Sequence, residues 1–149
     1  MDVRLVTNPP VSVEQLNALF SAAWPDHVSH DFSPVLARSL AYVCAFDGDQ
    51  LIGFVNVAWD GGVHAFLLDP TVHPDYRRRG VGTRLVTKAA TEAGALGAEW
   101  LHVDYESQLG EFYRRCGFRP TSAGLIKLSS DTEGARGPRF HSDVEGRWK

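Results

Sequence analysis

Between residues 41 and 97 the apolar residues change their spacing, and the change admits only folds that layer helices on a sheet. Two apolar runs come first, AYVCAF (41–46) and LIGFVNVAW (51–59), separated by Asp47-Gly48-Asp49. An Asp-Gly step between such runs signals a hairpin. Asp60-Gly61-Gly62 marks a second turn, and 63–72 reads as a third strand. Three strands joined by tight turns imply an antiparallel meander. From Gly80 onward, Val81, Leu85, Val86, Ala89, Ala90 and Ala93 share one helical face, closed by Gly94 and Gly97. The run WLHVDY (100–105) follows as a strand. A helix between two strands is a crossover, so this strand is expected to lie parallel to its neighbour.

The flanks supply the remaining elements. DVRLVT (2–7) alternates polar and apolar, as a half-buried strand does, and Asn8-Pro9-Pro10 breaks it. Ser12 stands three before Gln15, a capping-box spacing. Val13, Leu16, Leu19, Phe20 and Ala23 follow at helical intervals until Pro25. Ser33-Pro34 predicts a second, short helix with Ser33 as its N-cap, reaching Leu40. Leu109, Phe112, Tyr113 and Cys116 predict another, ending at Gly117. Residues 125–128 predict a last strand. The fold class is therefore α/β: a mixed central sheet, with an antiparallel meander and then a helix crossover to a parallel strand, and helices on both faces. Residues 1–128 read as a single domain and 129–149 as a polar C-terminal arm or tail. A chain of 149 residues fits one domain.

Composition removes several function classes. The net charge of −3 argues against a general nucleic-acid binder, which carries a basic excess. No apolar run approaches the ~18–20 residues that span a bilayer. The first ten residues lack the apolar core of a signal peptide. Cys44 and Cys116 form no CxxC pair and read as free thiols. The expected location is the cytoplasm, with no membrane and no nucleic acid as partner.

The most informative stretch is Val72-His73-Pro74-Asp75-Tyr76-Arg77-Arg78-Arg79-Gly80-Val81-Gly82-Thr83, between a strand and a strongly periodic helix. Glycines let backbone approach a ligand closely. The first-turn amides of a helix have no partner within it, and its dipole adds positive potential there. Arginines at the rim grip phosphate in a fork. Together these describe an anion site. No Gly-Lys-Ser/Thr appears, so it is not a Walker loop, and Leu85 stands where GxGxxG needs its third glycine. The plainer reading, a helix start flanked by solvated arginines, stands beside the anion site at this point.

Arg77-x-x-Gly80-x-Gly82 resembles the (Q/R)-x-x-G-x-(G/A) motif of the GCN5-related N-acetyltransferase (GNAT) superfamily. The preceding Val72-x-Pro74-Asp75-Tyr76-Arg77 matches as well. Phe112-Tyr113-Arg114-Arg115-Cys116-Gly117-Phe118 is similar to the family's late F-Y-x-x-x-G-F segment, and the element order agrees across residues 2–128. The resemblance implies acetyl-CoA as co-substrate, its pantetheine arm lying between the strands at 63–72 and 100–105. The backbone of Thr71 and Val72 would pair with the pantetheine amides. Arg77, Arg78, Arg79, Gly80, Val81, Gly82 and Thr83 would form the pyrophosphate site. The implied function is transfer of the acetyl group to a primary amine, with a small molecule preferred as acceptor. A protein N-terminal or lysine acetyltransferase, and a non-catalytic acyl-CoA-binding sensing module, are the alternatives. A homodimer is possible, as in many members.

The resemblance also implies that Tyr113 is the general acid for the departing thiolate; on its own pattern it is equally a core residue beside Phe112. Asp69, three before Val72, is the leading general base, or merely the end of a ladder. His64, Asp104 and Glu106 are rivals, as is ordered water. Glu106 and Leu109 stand where the family frequently has Asn and Ala, a departure from the residues behind the usual side-chain contact to the cofactor arm; Glu106 reads either as facing the acceptor or as capping the helix. Trp24, His27, His30, Phe32 and Trp59 crowd the acceptor half and read either as a cation cage or as core. His27-x-x-His30-Asp31 lacks the further ligands a metal needs, so no metal is expected.

Overall fold

The computed structural model describes residues 2–129. Strands β1 (Val3–Thr7), β2 (Ser39–Asp47), β3 (Gln50–Trp59), β4 (His64–Val72) and β5 (Trp100–His102) form one sheet in that order. The first three pairings are antiparallel and β4–β5 is parallel. The Asp-Gly signal is a two-residue hairpin: Asp47 pairs with Gln50, and Gly48 takes φ 59. The helices are α1 (Val13–Ala23), α2 (Ser33–Ala37), α3 (Val81–Ala95) and α4 (Gly110–Arg115).

Helix α1 starts as its sequence directs. The Ser12 hydroxyl accepts the Gln15 amide at 3.0 Å, and the Gln15 side chain accepts the Ser12 amide at 2.9 Å. Its buried residues Leu16, Leu19, Phe20 and Ala23 lie at helical spacing, and each large one contributes about 1.5–3 kcal/mol. The Phe20 ring meets Phe54 of β3 at 6.0 Å, so α1 covers that face of the sheet. Helix α3 covers the other face through Val81, Leu85, Val86, Ala89 and Ala93. Gly53 of β3 makes that packing close: a Cβ there would lie 2.9 Å from Leu85 Cδ1.

Four expectations change. Ser33 is the first residue of α2 rather than its cap: the cap is Phe32, whose carbonyl accepts the Leu36 amide at 3.0 Å, and Asp31 Oδ1 accepts the Ser33 amide at 2.9 Å. That helix stops at Ala37, and Ser39 and Leu40 already belong to β2. Residues 125–128 form no strand: they have no ladder partner among the described residues, and Leu125, Ile126 and Leu128 are exposed. The expected strand 100–105 pairs only over Trp100–His102. Beyond residue 129, the expected tail lies outside the described residues.

Candidate active site

The shortening of β5 creates the site. His64 pairs with Trp100, Ala65 with Leu101 and Phe66 with His102, and the ladder then stops. β4 continues along β3 to Val72, so its segment 67–72 carries no ladder on the β5 side. Such an edge is a row of backbone donors and acceptors, able to pair with an extended amide-bearing chain.

β4 also carries a one-residue bulge. Thr71 faces Phe54 and Leu68 faces Asn56, so Asp69 and Pro70 together oppose Val55. Asp69 takes φ 54, a left-handed conformation that aspartate tolerates better than most residues. Leu68 and Thr71, three positions apart, consequently point to the same face, the one covered by α1. The Thr71 hydroxyl is clamped there: Trp24 Nε1 donates to it at 3.1 Å, and it donates to the Asp69 carbonyl at 3.0 Å. Burial pushes the Asp69 carboxyl from 3.8 up to about 6, partly offset by the charge of His30 on the α1–α2 loop.

At the far end of β4 the chain enters the arginine loop. The His73 amide bonds to the Ile52 carbonyl at 2.8 Å, and the Tyr76 hydroxyl donates to Asp47 Oδ2 at 2.6 Å. These bonds tie the loop to the β2–β3 hairpin. Arg78 and Gly80 take φ 62 and 77, which curls the backbone into α3. The first bond inside α3 runs from the Arg84 amide to the Gly80 carbonyl at 3.1 Å. The amides of Val81, Gly82 and Thr83 precede it and so have no partner within the helix. Open space surrounds Gly80 where a Cβ would stand. This is a cradle that fits a pyrophosphate.

The three arginines differ in placement. Arg77 turns back, its Nη2 donating to the Ala23 carbonyl at 3.3 Å, where the negative end of α1 suits a cation. Arg79 lies over the Tyr76 ring at 5.8 Å. Arg78 is exposed.

Tyr113 on α4 is 2% exposed. Its ring stacks on Tyr105 at 4.6 Å and meets Phe118 edge-on at 5.6 Å. Burial raises its pKa well above the ordinary phenol value, so the hydroxyl keeps its proton. Glu106 stands just before the short turn Ser107–Leu109, and Leu109 is buried.

Of the residues read as a cation cage or as core, Trp24 and Phe32 are core. His27, His30 and Phe32 pack together, with His30 and Phe32 centroids 4.1 Å apart. Trp59 stands at the end of β3 opposite Ala65. Among the described residues no group of three or more His, Cys, Asp or Glu is placed to hold a metal ion. Two relations were not legible in sequence: the Trp24–Thr71 bond, and a contact between His64 and His102 at 2.9 Å. Both depend on register or on partners far apart in the chain.

Known proteins agree with this architecture. Mycothiol acetyltransferase of Mycolicibacterium smegmatis is 34% identical over 56 residues, which make up 38% of this chain and 19% of that protein. The enzyme of the same name from Mycobacterium ulcerans is 34% identical over 55 residues, 37% of this chain and 17% of that one. The chain thus matches only a small part of these relatives' length. Among solved structures, a GNAT family acetyltransferase from Streptococcus pneumoniae superposes with a TM-score of 0.73 at 24% identity, over 87% of this chain and 100% of that one. Aminoglycoside N-acetyltransferase AAC(6')-Iy, solved in complex with CoA, gives 0.67 at 18% identity, over 86% and 95%. Both share the fold. The sequence model of the acetyltransferase (GNAT) family matches residues 13–118, a stretch that holds the bulge, the arginine loop and Tyr113 together, and on that match the chain belongs to the acetyltransferase (GNAT) family.

Proposed function

We propose that residues 1–128 form one catalytic domain that transfers the acetyl group of acetyl-CoA to the primary amine of a small molecule, by direct attack in a ternary complex. The observation that carries this reading is continuity: the unladdered edge of β4 leads through the arginine loop, 73–80, to the open amides at the start of α3. A coenzyme with a diphosphate at one end and an amide-bearing arm at the other fits that sequence of donors. Acetyl-CoA is the family's acetyl donor. The backbone of Thr71 and Val72 holds the arm. Arg78, Arg79, Gly80, Val81, Gly82 and Thr83 hold the diphosphate, and Arg77 anchors the loop to α1. The relatives' names, for mycothiol and aminoglycosides, support a small-molecule acceptor. The free thiols Cys44 and Cys116 suit a reducing compartment, the cytoplasm.

The chemistry follows from proton counting. A protonated primary amine carries three N–H protons and its amide product keeps one. Of the two that leave, one ends on the CoA sulfur and one in water. Asp69 takes the proton released from nitrogen as the C–N bond forms, its raised pKa suiting uptake near neutral pH. Tyr113, held as a neutral phenol, donates to the sulfur as the C–S bond breaks. Exchange through solvent then returns the Asp69 proton to the phenolate.

The test is thiol release from acetyl-CoA across a panel of small amines. Turnover with at least one amine is expected. Tight CoA binding without turnover on any amine would favour a non-catalytic acyl-CoA module, and turnover only on peptides would favour a protein acetyltransferase.

A further inference from the structure

The mechanism above leaves one proton without a carrier, the one an ammonium must shed before its nitrogen has a lone pair. A group suited to this stands at the mouth of the gap between β4 and β5. His64 Nδ1 and His102 Nε2 are 2.9 Å apart. His102 is abreast of Phe66, the last paired position before the strands part, and stacks on its ring at 4.8 Å and 18°. His64, Phe66 and Leu68 alternate along β4 with the buried Ala65 and Leu67, so they share the face on which Thr71 and α1 lie. Phe66 and Leu68 are each 39% exposed, so a solute reaches this face.

The contact constrains the protons. One of the two facing nitrogens must carry hydrogen for the bond to form. With both rings neutral, the outer nitrogens are then unlike: of His64 Nε2 and His102 Nδ1, one is bare and the other is N–H. A proton added to the bare one lets the shared proton cross and the other ring release its own.

We propose that His64 and His102 act as one unit that takes the surplus proton of the acceptor ammonium, directly or through one water, and passes a proton to solvent. The inference rests on the N-acetyltransferase reading. The amine leaves as R–NH2 with its lone pair free, and the tautomers of the pair re-equilibrate through water. No other bond changes. Strand geometry places position 66 about 10 Å from Asp69. An amine crossing the Phe66–Leu68 surface therefore passes the pair on its way to the bulge.

The experiment uses the full chain, acetyl-CoA and the best amine of the panel. His64→Gln and His102→Gln keep polar side chains but cannot relay a proton. Each is expected to lower kcat/KM for the amine at least tenfold, and the double variant no further than either alone. His102→Ala is expected to regain part of its rate on adding free imidazole. Acetyl-CoA affinity and melting temperature should stay near the parent's in the Gln variants. Unchanged rates, additive losses, or a His102→Ala loss that imidazole does not relieve would each overturn the relay. If the parent itself turns over no amine, the acetyltransferase reading fails and takes the relay with it. If the parent is active and the variants match it, only the relay fails.

Discussion

Trp24 Nε1 and Thr71 Oγ1 are joined by a 3.1 Å hydrogen bond, and through it the end of α1 holds the bulge of β4 in place. Both residues are buried, so losing the donor is costly. Trp24→Phe should destabilise the fold by about 1–3 kcal/mol, measured by urea unfolding. It should also raise KM for acetyl-CoA, because the Thr71 backbone loses its anchor. A variant with lowered stability but unchanged KM would separate the bond from coenzyme binding.

Gly82 lies in the first turn of α3 and is buried. Gly82→Trp should fill the space proposed for the diphosphate. Calorimetric titration is expected to show acetyl-CoA affinity reduced by two orders of magnitude or more. Retained affinity in a folded variant would place the coenzyme elsewhere.

Tyr113→Phe removes a single hydroxyl from a ring otherwise held by Tyr105 and Phe118. Turnover should fall by about 10²-fold with KM little changed, the pattern of a group that acts in the transition state. Equal loss in KM would indicate a packing role instead.

Asp69 should link pH to stability in an unusual direction for an acid. Its folded pKa of about 6 exceeds the unfolded value of 3.8, so between these the folded protein holds a proton that the unfolded chain has released. Stability therefore falls as pH rises through that window and stays lower above it. Asp69→Asn should be more stable than the parent by about 1–2 kcal/mol at pH 8 and equal to it near pH 3.5, by denaturant unfolding. Acetyl transfer should show the opposite trend in the parent, rising with pH through about 6 as the carboxylate forms, and Asp69→Asn should abolish that rise.

Local signals were legible in the sequence and distant ones were not. Ser12 and Gln15 cap each other within one turn, so spacing alone places them. The meander and the crossover follow from turn residues and period. Ser33 lies inside the helix because α2 begins one residue earlier, with the Leu36 amide bonded to the Phe32 carbonyl, while Asp31 accepts the amide of Ser33 itself. The apolar residues Leu125, Ile126 and Leu128 resemble a strand, but a strand also requires a partner row of backbone groups, which local composition does not supply. Arg77 reads as a rim charge until its bond to Ala23, 54 positions earlier, is seen. The His64–His102 contact needs the β4–β5 register, and the sequence does not encode register in any local pattern.

The bulge at Asp69-Pro70 also divides one strand into two stretches with separate duties. Residues up to Leu68 keep one parity of side chains and those from Thr71 keep the other, with the break absorbed at Val55. Side chains at 66 and 68 can therefore be exchanged to suit a different acceptor without reorienting Thr71 or Val72. Redesign of amine preference should begin at 66 and 68, which belong neither to the histidine pair nor to the proposed coenzyme site.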